Sequence, residues 1–195
     1  MTWAVVSLDV DGPLLDPVVE LYCRVFDGPG SIADRAEAVR STFVEHASYD
    51  GFRGFVAVSD DASVLGFAYG YDSASGQYWH DHLAASMGAE LTDRWLSDCF
   101  EVAELAVAPH VRRRGLGGVL HDALLAGVPR RTSVLTTGVE NVPARSLYAR
   151  RGWRLVYEPL DSPSPAGAEI VVLGLEGNAF PESPVTDTDG RRSGR

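Results

Sequence analysis

The chain has 195 residues, 45% of them apolar, which suits one domain, or one domain with a tail, and supplies enough apolar side chains for a core. Its formal net charge is −10, which argues against general binding to nucleic acid or an anionic membrane and favours cationic partners; all seventeen basic residues are arginine. The two cysteines, Cys23 and Cys99, are too few for a disulfide scaffold or a zinc site and read as small buried apolar residues. No apolar run approaches the roughly 20 residues that span a bilayer. The N-terminus lacks a basic segment followed by an apolar run, so no signal peptide is expected and the expected location is cytoplasmic.

Residues 2–8, TWAVVSL, read as an opening strand. In 17–26, Val18, Leu21, Tyr22 and Val25 share a helical face, and 32–47 reads as a second helix. The runs 52–60 and 63–72 flank an Asp-Asp-Ala turn and predict an antiparallel hairpin. Residues 73–98 are the least regular and read as a loop with one helix. A strand at 99–109 ends at proline. Residues 114–128 read as a helix with Leu116, Val119, Leu120, Ala123 and Leu124 on one apolar stripe. A strand at 131–139 and a short helix at 143–152 follow, with Pro143 suited to the first helical position and Gly152 to the C-terminal end. Strands at 153–160 and 169–176 close the series. From 177 onward little can be buried, and a disordered tail over 177–195 is expected after a domain at 1–176. The order predicts an α/β fold with a mixed sheet.

The stretch V-A-P-H-V-R-R-R-G-L-G-G at 107–118 concentrates positive charge and backbone freedom at the start of a predicted helix. The first turn of a helix offers unsatisfied N–H groups and a partial positive charge. Glycine lets the backbone approach an anion, and arginine adds charge-assisted donors. Together these make a pyrophosphate cradle. The plainer alternative is a turn with solvated arginines. The Gly-Lys-Ser/Thr of a phosphate-binding Walker loop is missing, and so is the third glycine of a dinucleotide fingerprint, since position 120 is leucine.

In its order of strand, V-x-P-x-x-R-R-x-G-x-G and helix, this stretch resembles the acetyl-CoA motif of the GNAT acetyltransferases. Arg112, Gly115 and Gly117 fill the family's Gln/Arg-x-x-Gly-x-Gly/Ala signature. A second family motif, N-x-x-A-x-x-L-Y-x-x-x-G-F/W, stands here as Asn141, Ala144, Leu147, Tyr148, Gly152 and Trp153. The resemblance covers 2–176 and is weakest at 73–98, which reads as an insertion. It implies a GNAT-like, mostly antiparallel mixed sheet flanked by helices. It also implies transfer of an acetyl group from coenzyme A to an amine by direct attack on the thioester. Leu105, Ala106 and Val107 would present backbone to the pantetheine arm, with a bulge there splaying this strand from the next. Arg112, Arg113, Arg114, Gly115, Leu116, Gly117 and Gly118 would hold the pyrophosphate.

Such a reaction needs a base for the ammonium, donors for the developing oxyanion and a proton for the departing thiolate. Tyr148 matches the family tyrosine that supplies that proton; its alternative is a core aromatic. Glu101 matches a position where family members carry the base, and Glu104 lies closer to the cofactor arm. Three residues apart, the two point to opposite faces unless a bulge intervenes. For either, the alternative is a carboxylate paired with an arginine. A backbone N–H near Leu105 to Val107 would serve the oxyanion. Asn141 orders the cofactor or caps the helix at Pro143.

In Tyr78-Trp79-His80-Asp81-His82, Trp79 and His80 are candidates for an acceptor pocket; a packed lid with surface histidines is the alternative. No third well-placed ligand accompanies the histidines, so no metal is expected. The acceptor expected is a small cationic amine. A protein N-terminus or lysine, and a non-catalytic CoA-binding module, are the competing readings. Pairing through the last strands would give a homodimer.

Overall fold

The computed structural model describes residues 2–27, 32–161 and 169–177. The expected tail, apart from Gly177, lies outside the described residues. The elements in chain order are β1 (Trp3–Ser7), α1 (Leu15–Tyr22), α2 (Ile32–Ala47), β2 (Arg53–Ser59), β3 (Val64–Ser73), α3 (Tyr78–Met87), α4 (Ala89–Leu96), β4 (Cys99–Val107), α5 (Leu116–Leu125), β5 (Thr132–Gly138), α6 (Val142–Ala149), β6 (Arg154–Asp161) and β7 (Glu169–Glu176). The seven strands hydrogen-bond in the order β1-β2-β3-β4-β5-β7-β6. Pairing is antiparallel at β1/β2, β2/β3, β5/β7 and β6/β7, and parallel at β4/β5. This is the mixed α/β fold expected from the order of elements, mostly antiparallel as the resemblance implies.

The chain gathers into two compact units, one from the described residues of Met1–Tyr71 and Glu104–Gly127, the other from those of Asp72–Ala103 and Val128–Ala179. In the first, side chains alternate across β3. Phe67 and Tyr69 meet the rings of Tyr22 and Phe43 from α1 and α2, with centroids 4.7 Å apart for Phe43 and Tyr69. On the other face of β3, Gly66 leaves room for Leu120 of α5; a Cβ there would lie 3.0 Å from that side chain and 2.8 Å from the Ala106 carbonyl. Phe43, Phe67 and Leu120 are fully buried, and truncating such an aromatic costs about 3–5 kcal/mol. Arg53 Nη1 donates to the Ala126 carbonyl at 2.6 Å, satisfying the end of α5.

The second unit has its own core. Leu83 and Met87 of α3, Trp95 and Leu96 of α4, Cys99 of β4, Val134 of β5 and Val172 of β7 are buried together, with Trp79 packed on the cluster. Gly174 of β7 makes room for Trp95: a Cβ there would fall 2.3 Å from the indole ring. Thr132 Oγ1 donates to the Trp95 carbonyl at 2.8 Å, joining the end of α4 to β5.

Several expectations need correction. Residues 73–98 hold two helices, separated at Gly88, whose φ of 78° interrupts the helical run. The first helix starts at Leu15, two residues before the expected position, and passes into a π-helical turn at Cys23–Asp27. α5 is shorter than 114–128, and Val119 is not part of its buried stripe but 39% exposed. Pro143 follows Val142 into α6 and so takes the second position. Both cysteines are buried, as expected.

Candidate active site

The arginine-glycine stretch lies in the first unit. β4 ends at Val107, and a short 3-10 turn at Pro109–Val111 is anchored by buried Val111. The backbone then changes hand twice. Arg112 is extended, Arg113 takes φ 62° and Gly115 takes φ 86° before α5 begins. A left-handed arginine costs about 1–3 kcal/mol, a strain characteristic of ligand-binding loops. Gly118 N–H returns to the Gly115 carbonyl at 2.9 Å. Among the described residues, the N–H groups of Arg113, Gly115, Leu116 and Gly117 make no hydrogen bond. Successive free N–H groups at such a turn form an anion-binding concavity, reinforced by the N-terminus of α5. This donor row fits a pyrophosphate.

Arg112, Arg113 and Arg114 are exposed. Arg112 Nε donates to the Val107 carbonyl at 3.0 Å, tying the loop to the end of β4. That side chain therefore shapes the cradle, a role its place in the motif does not convey. Leu105 and Val107 are half-buried and Ala106 is buried.

Glu104 is half-buried by accessible surface, yet protein surrounds its carboxyl closely enough that desolvation pushes its pKa up to about 8; a hydrogen bond from the Tyr22 hydroxyl pulls the other way. A carboxylate of that basicity is tuned for proton transfer near neutral pH. Tyr22, 82 positions earlier in the chain, carries no motif that would have marked it.

In the second unit, the parallel register of β4 with β5 comprises Cys99↔Thr132, Phe100↔Ser133 and Glu101↔Val134. β4 runs on to Val107 beyond that register. Burial along β4 does not alternate, being buried from Cys99 to Val102 and half-buried from Ala103 to Leu105, so parity does not sort the two glutamates. Glu101 is 5% exposed. Its Oε2 lies 3.4 Å from the Ser73 hydroxyl, which lies 3.0 Å from His80 Nδ1. Burial lowers the His80 pKa, against a weaker opposing effect of Asp81. Ser73 carries no signal in the sequence, where it falls one residue past the strand expected at 63–72; the structure extends β3 to include it.

Tyr148 of α6 is 7% exposed, its ring 5.7 Å from that of Trp153. The two aromatics of the second motif therefore pack together. Asn141 caps α6: its Oδ1 accepts from Ala144 N–H at 3.3 Å and its Nδ2 lies 3.3 Å from Thr137 Oγ1. Trp79 and His80 are half-buried on α3, where Trp79 and Tyr78 flank the ring of His82. No group of three or more metal-ligating side chains occurs among the described residues.

Residues 15–153 match the acetyltransferase (GNAT) family, and the chain belongs to it; acetyl-CoA is the cosubstrate of that family. It is 31% identical over 128 residues to a GCN5-like protein acetyltransferase of Mycobacterium tuberculosis, a match covering 63% of this chain and 55% of that protein. The chain thus spans about half the length of this curated relative. Its fold is similar to that of PH1933 from Pyrococcus horikoshii OT3, with a TM-score of 0.65, 18% identity and coverage of 91% and 99% of the two chains. It is also similar to a chain of the NatC complex bound to Gag peptide and CoA, with a TM-score of 0.64, 16% identity and coverage of 90% and 99%. Among the described residues, no helix is long and apolar enough to cross a membrane.

Proposed function

We propose that the protein is an N-acetyltransferase that moves an acetyl group from acetyl-CoA to a cationic primary amine, taken first as a small molecule in the cytoplasm. The observation that carries this reading is the set of free N–H groups of Arg113, Gly115, Leu116 and Gly117, on a chain of this family. The GNAT domain is taken as 1–176.

Acetyl-CoA supplies an activated acyl group. The free N–H groups of Arg113, Gly115, Leu116 and Gly117 hold its pyrophosphate, and the backbone of Leu105 to Val107 receives the pantetheine arm and donates to the thioester oxygen. Glu101 takes a proton from the ammonium so that the free amine attacks the thioester carbon; as the carbon–sulfur bond breaks, Tyr148 protonates the departing sulfur, and the surplus proton of the new amide nitrogen restores the Tyr148 hydroxyl. Glu104 is the second candidate base, favoured by its pKa of about 8. Trp79 and His80 face the acceptor. The net charge of −10 suits a cationic acceptor. Lysine side chains share that chemistry, and the 31% identical relative, a protein acetyltransferase, favours a protein acceptor as the second reading.

The test is thiol release from acetyl-CoA against polyamines, aminoglycosides, amino acids and short peptides. Tyr148→Phe, Glu101→Gln and Glu104→Gln are run alongside. Since the chain contains no lysine, acetylated lysine detected by mass spectrometry belongs to the acceptor. Release with one acceptor class, lowered about 100-fold or more in Tyr148→Phe, is expected. Binding of acetyl-CoA without release from any acceptor would favour the non-catalytic alternative, and absence of binding would overturn the proposal.

A further inference from the structure

The Ser73 hydroxyl sits between two titratable side chains drawn from other elements. It lies 3.0 Å from Nδ1 of His80 on α3 and 3.4 Å from Oε2 of Glu101 on β4. A serine hydroxyl has one hydrogen to donate. If it goes to His80, the carboxylate receives nothing from Ser73. If Nδ1 of His80 carries a hydrogen and donates to Ser73, the serine hydrogen is committed to Glu101. Only the second arrangement makes both contacts hydrogen bonds while Glu101 is ionised, because a carboxylate only accepts. Donation to the charged form of a buried carboxylate favours that form against the cost of burial. This differs from a nucleophilic triad, in which the carboxylate orients the imidazole. Here the carboxylate is the end of the chain of donors.

We propose that Ser73 and His80 are positioning residues that keep the Glu101 carboxylate ionised and fixed in direction, His80 Nδ1–H donating to Ser73 and Ser73 O–H donating to Glu101. The inference rests on the reading of Glu101 as the base. Asp81 is the nearby charge on His80's own helix; it accepts from Gly76 N–H at 3.1 and 3.2 Å. Because Nδ1 donates in both the neutral Nδ1–H tautomer and the imidazolium, protonation of His80 leaves the chain of donors intact.

The experiment uses the full chain with Ser73→Ala, Ser73→Thr, His80→Ala and His80→Asn. Two readouts are independent of turnover: the carboxyl carbon titration of Glu101 and the ring nitrogen shifts of His80, both by NMR. Ser73→Ala is expected to move the Glu101 midpoint to higher pH by about one pH unit, and His80→Ala by less. Ser73→Thr keeps the hydroxyl and His80→Asn keeps an N–H donor near the same place, so both hold the wild-type midpoint. The acid limb of the kcat/KM profile should move with the carboxyl titration, while the KM for acetyl-CoA stays within twofold. A Glu101 midpoint unmoved in Ser73→Ala, or a bare Nδ1 on His80 in the wild type, would overturn the proposal. If wild-type protein turns over no acceptor, the acetyltransferase reading fails, and the two NMR readouts still decide the order of donors.

Discussion

Replacing Glu104 with glutamine removes a buried group that titrates differently in the folded and unfolded chain. The folded carboxyl has a pKa of about 8, against an ordinary value of 4.5. Between those two values the unfolded chain has lost the proton and the folded chain still holds it. Wild-type stability therefore falls as pH rises through this window, by about 1.4 kcal/mol for each pH unit, and levels off above it. The loss is about 3 kcal/mol by pH 7 and about 5 kcal/mol above pH 8. Glutamine has nothing to ionise, and its carbonyl can still accept from the Tyr22 hydroxyl. Burial lowers the pKa of His46 and His80, which costs stability on the acid side, but that cost is common to both proteins and cancels in the difference. Urea unfolding of both proteins from pH 5 to pH 9 checks this. Their stabilities should nearly coincide at pH 5, and the variant should be the more stable by several kcal/mol at pH 8 to 9. A difference that stays constant with pH would refute the reasoning, as would a variant less stable than wild type at pH 8.

Gly115→Ala adds a Cβ that meets nothing within 4 Å, so its effect is purely one of backbone conformation at φ 86°. It should cost about 1–2 kcal/mol in thermal unfolding and raise the KM for acetyl-CoA up to about tenfold as the N–H row shifts. Gly174→Ala drives a Cβ into the Trp95 ring and the Val156 side chain; a loss of about 1–3 kcal/mol in urea unfolding is expected, and an unchanged midpoint would contradict the packing. Asn141→Ala removes the cap of α6 and should lower stability by about 1 kcal/mol. A change confined to the KM for acetyl-CoA would assign the side chain to the cofactor instead.

The periodic elements were the legible part. α2 and β7 fall on the residues that helical spacing and strand composition select, because each has an unbroken pattern between turn residues. The second motif was legible as a string, and the structure shows why two of its members recur together: Tyr148 and Trp153 pack ring against ring. The two helices at 73–98 were harder, since His80, Asp81 and His82 break the apolar pattern of α3 and Gly88 falls between the helices. Contacts made by the two candidate bases were not legible at all. The bond from Tyr22 to Glu104 and the bridge through Ser73 join residues far apart in the chain. The left-handed Arg113 is equally hidden, because arginine has no preference for that conformation.

The parallel register with β5 ends at Glu101 while β4 continues to Val107, so the last residues of β4 present a strand edge outside that register. Edges of this kind are templates for the wrong strand as well as the right ligand. On the proposed placement of the pantetheine arm along Leu105 to Val107, the bound cosubstrate is also a guard against association of partly opened chains. Saturation at 100 times the dissociation constant stabilises the folded chain by about 2.7 kcal/mol. A cell's supply of acetyl-CoA would then govern how much of this protein survives, and not only how fast it works.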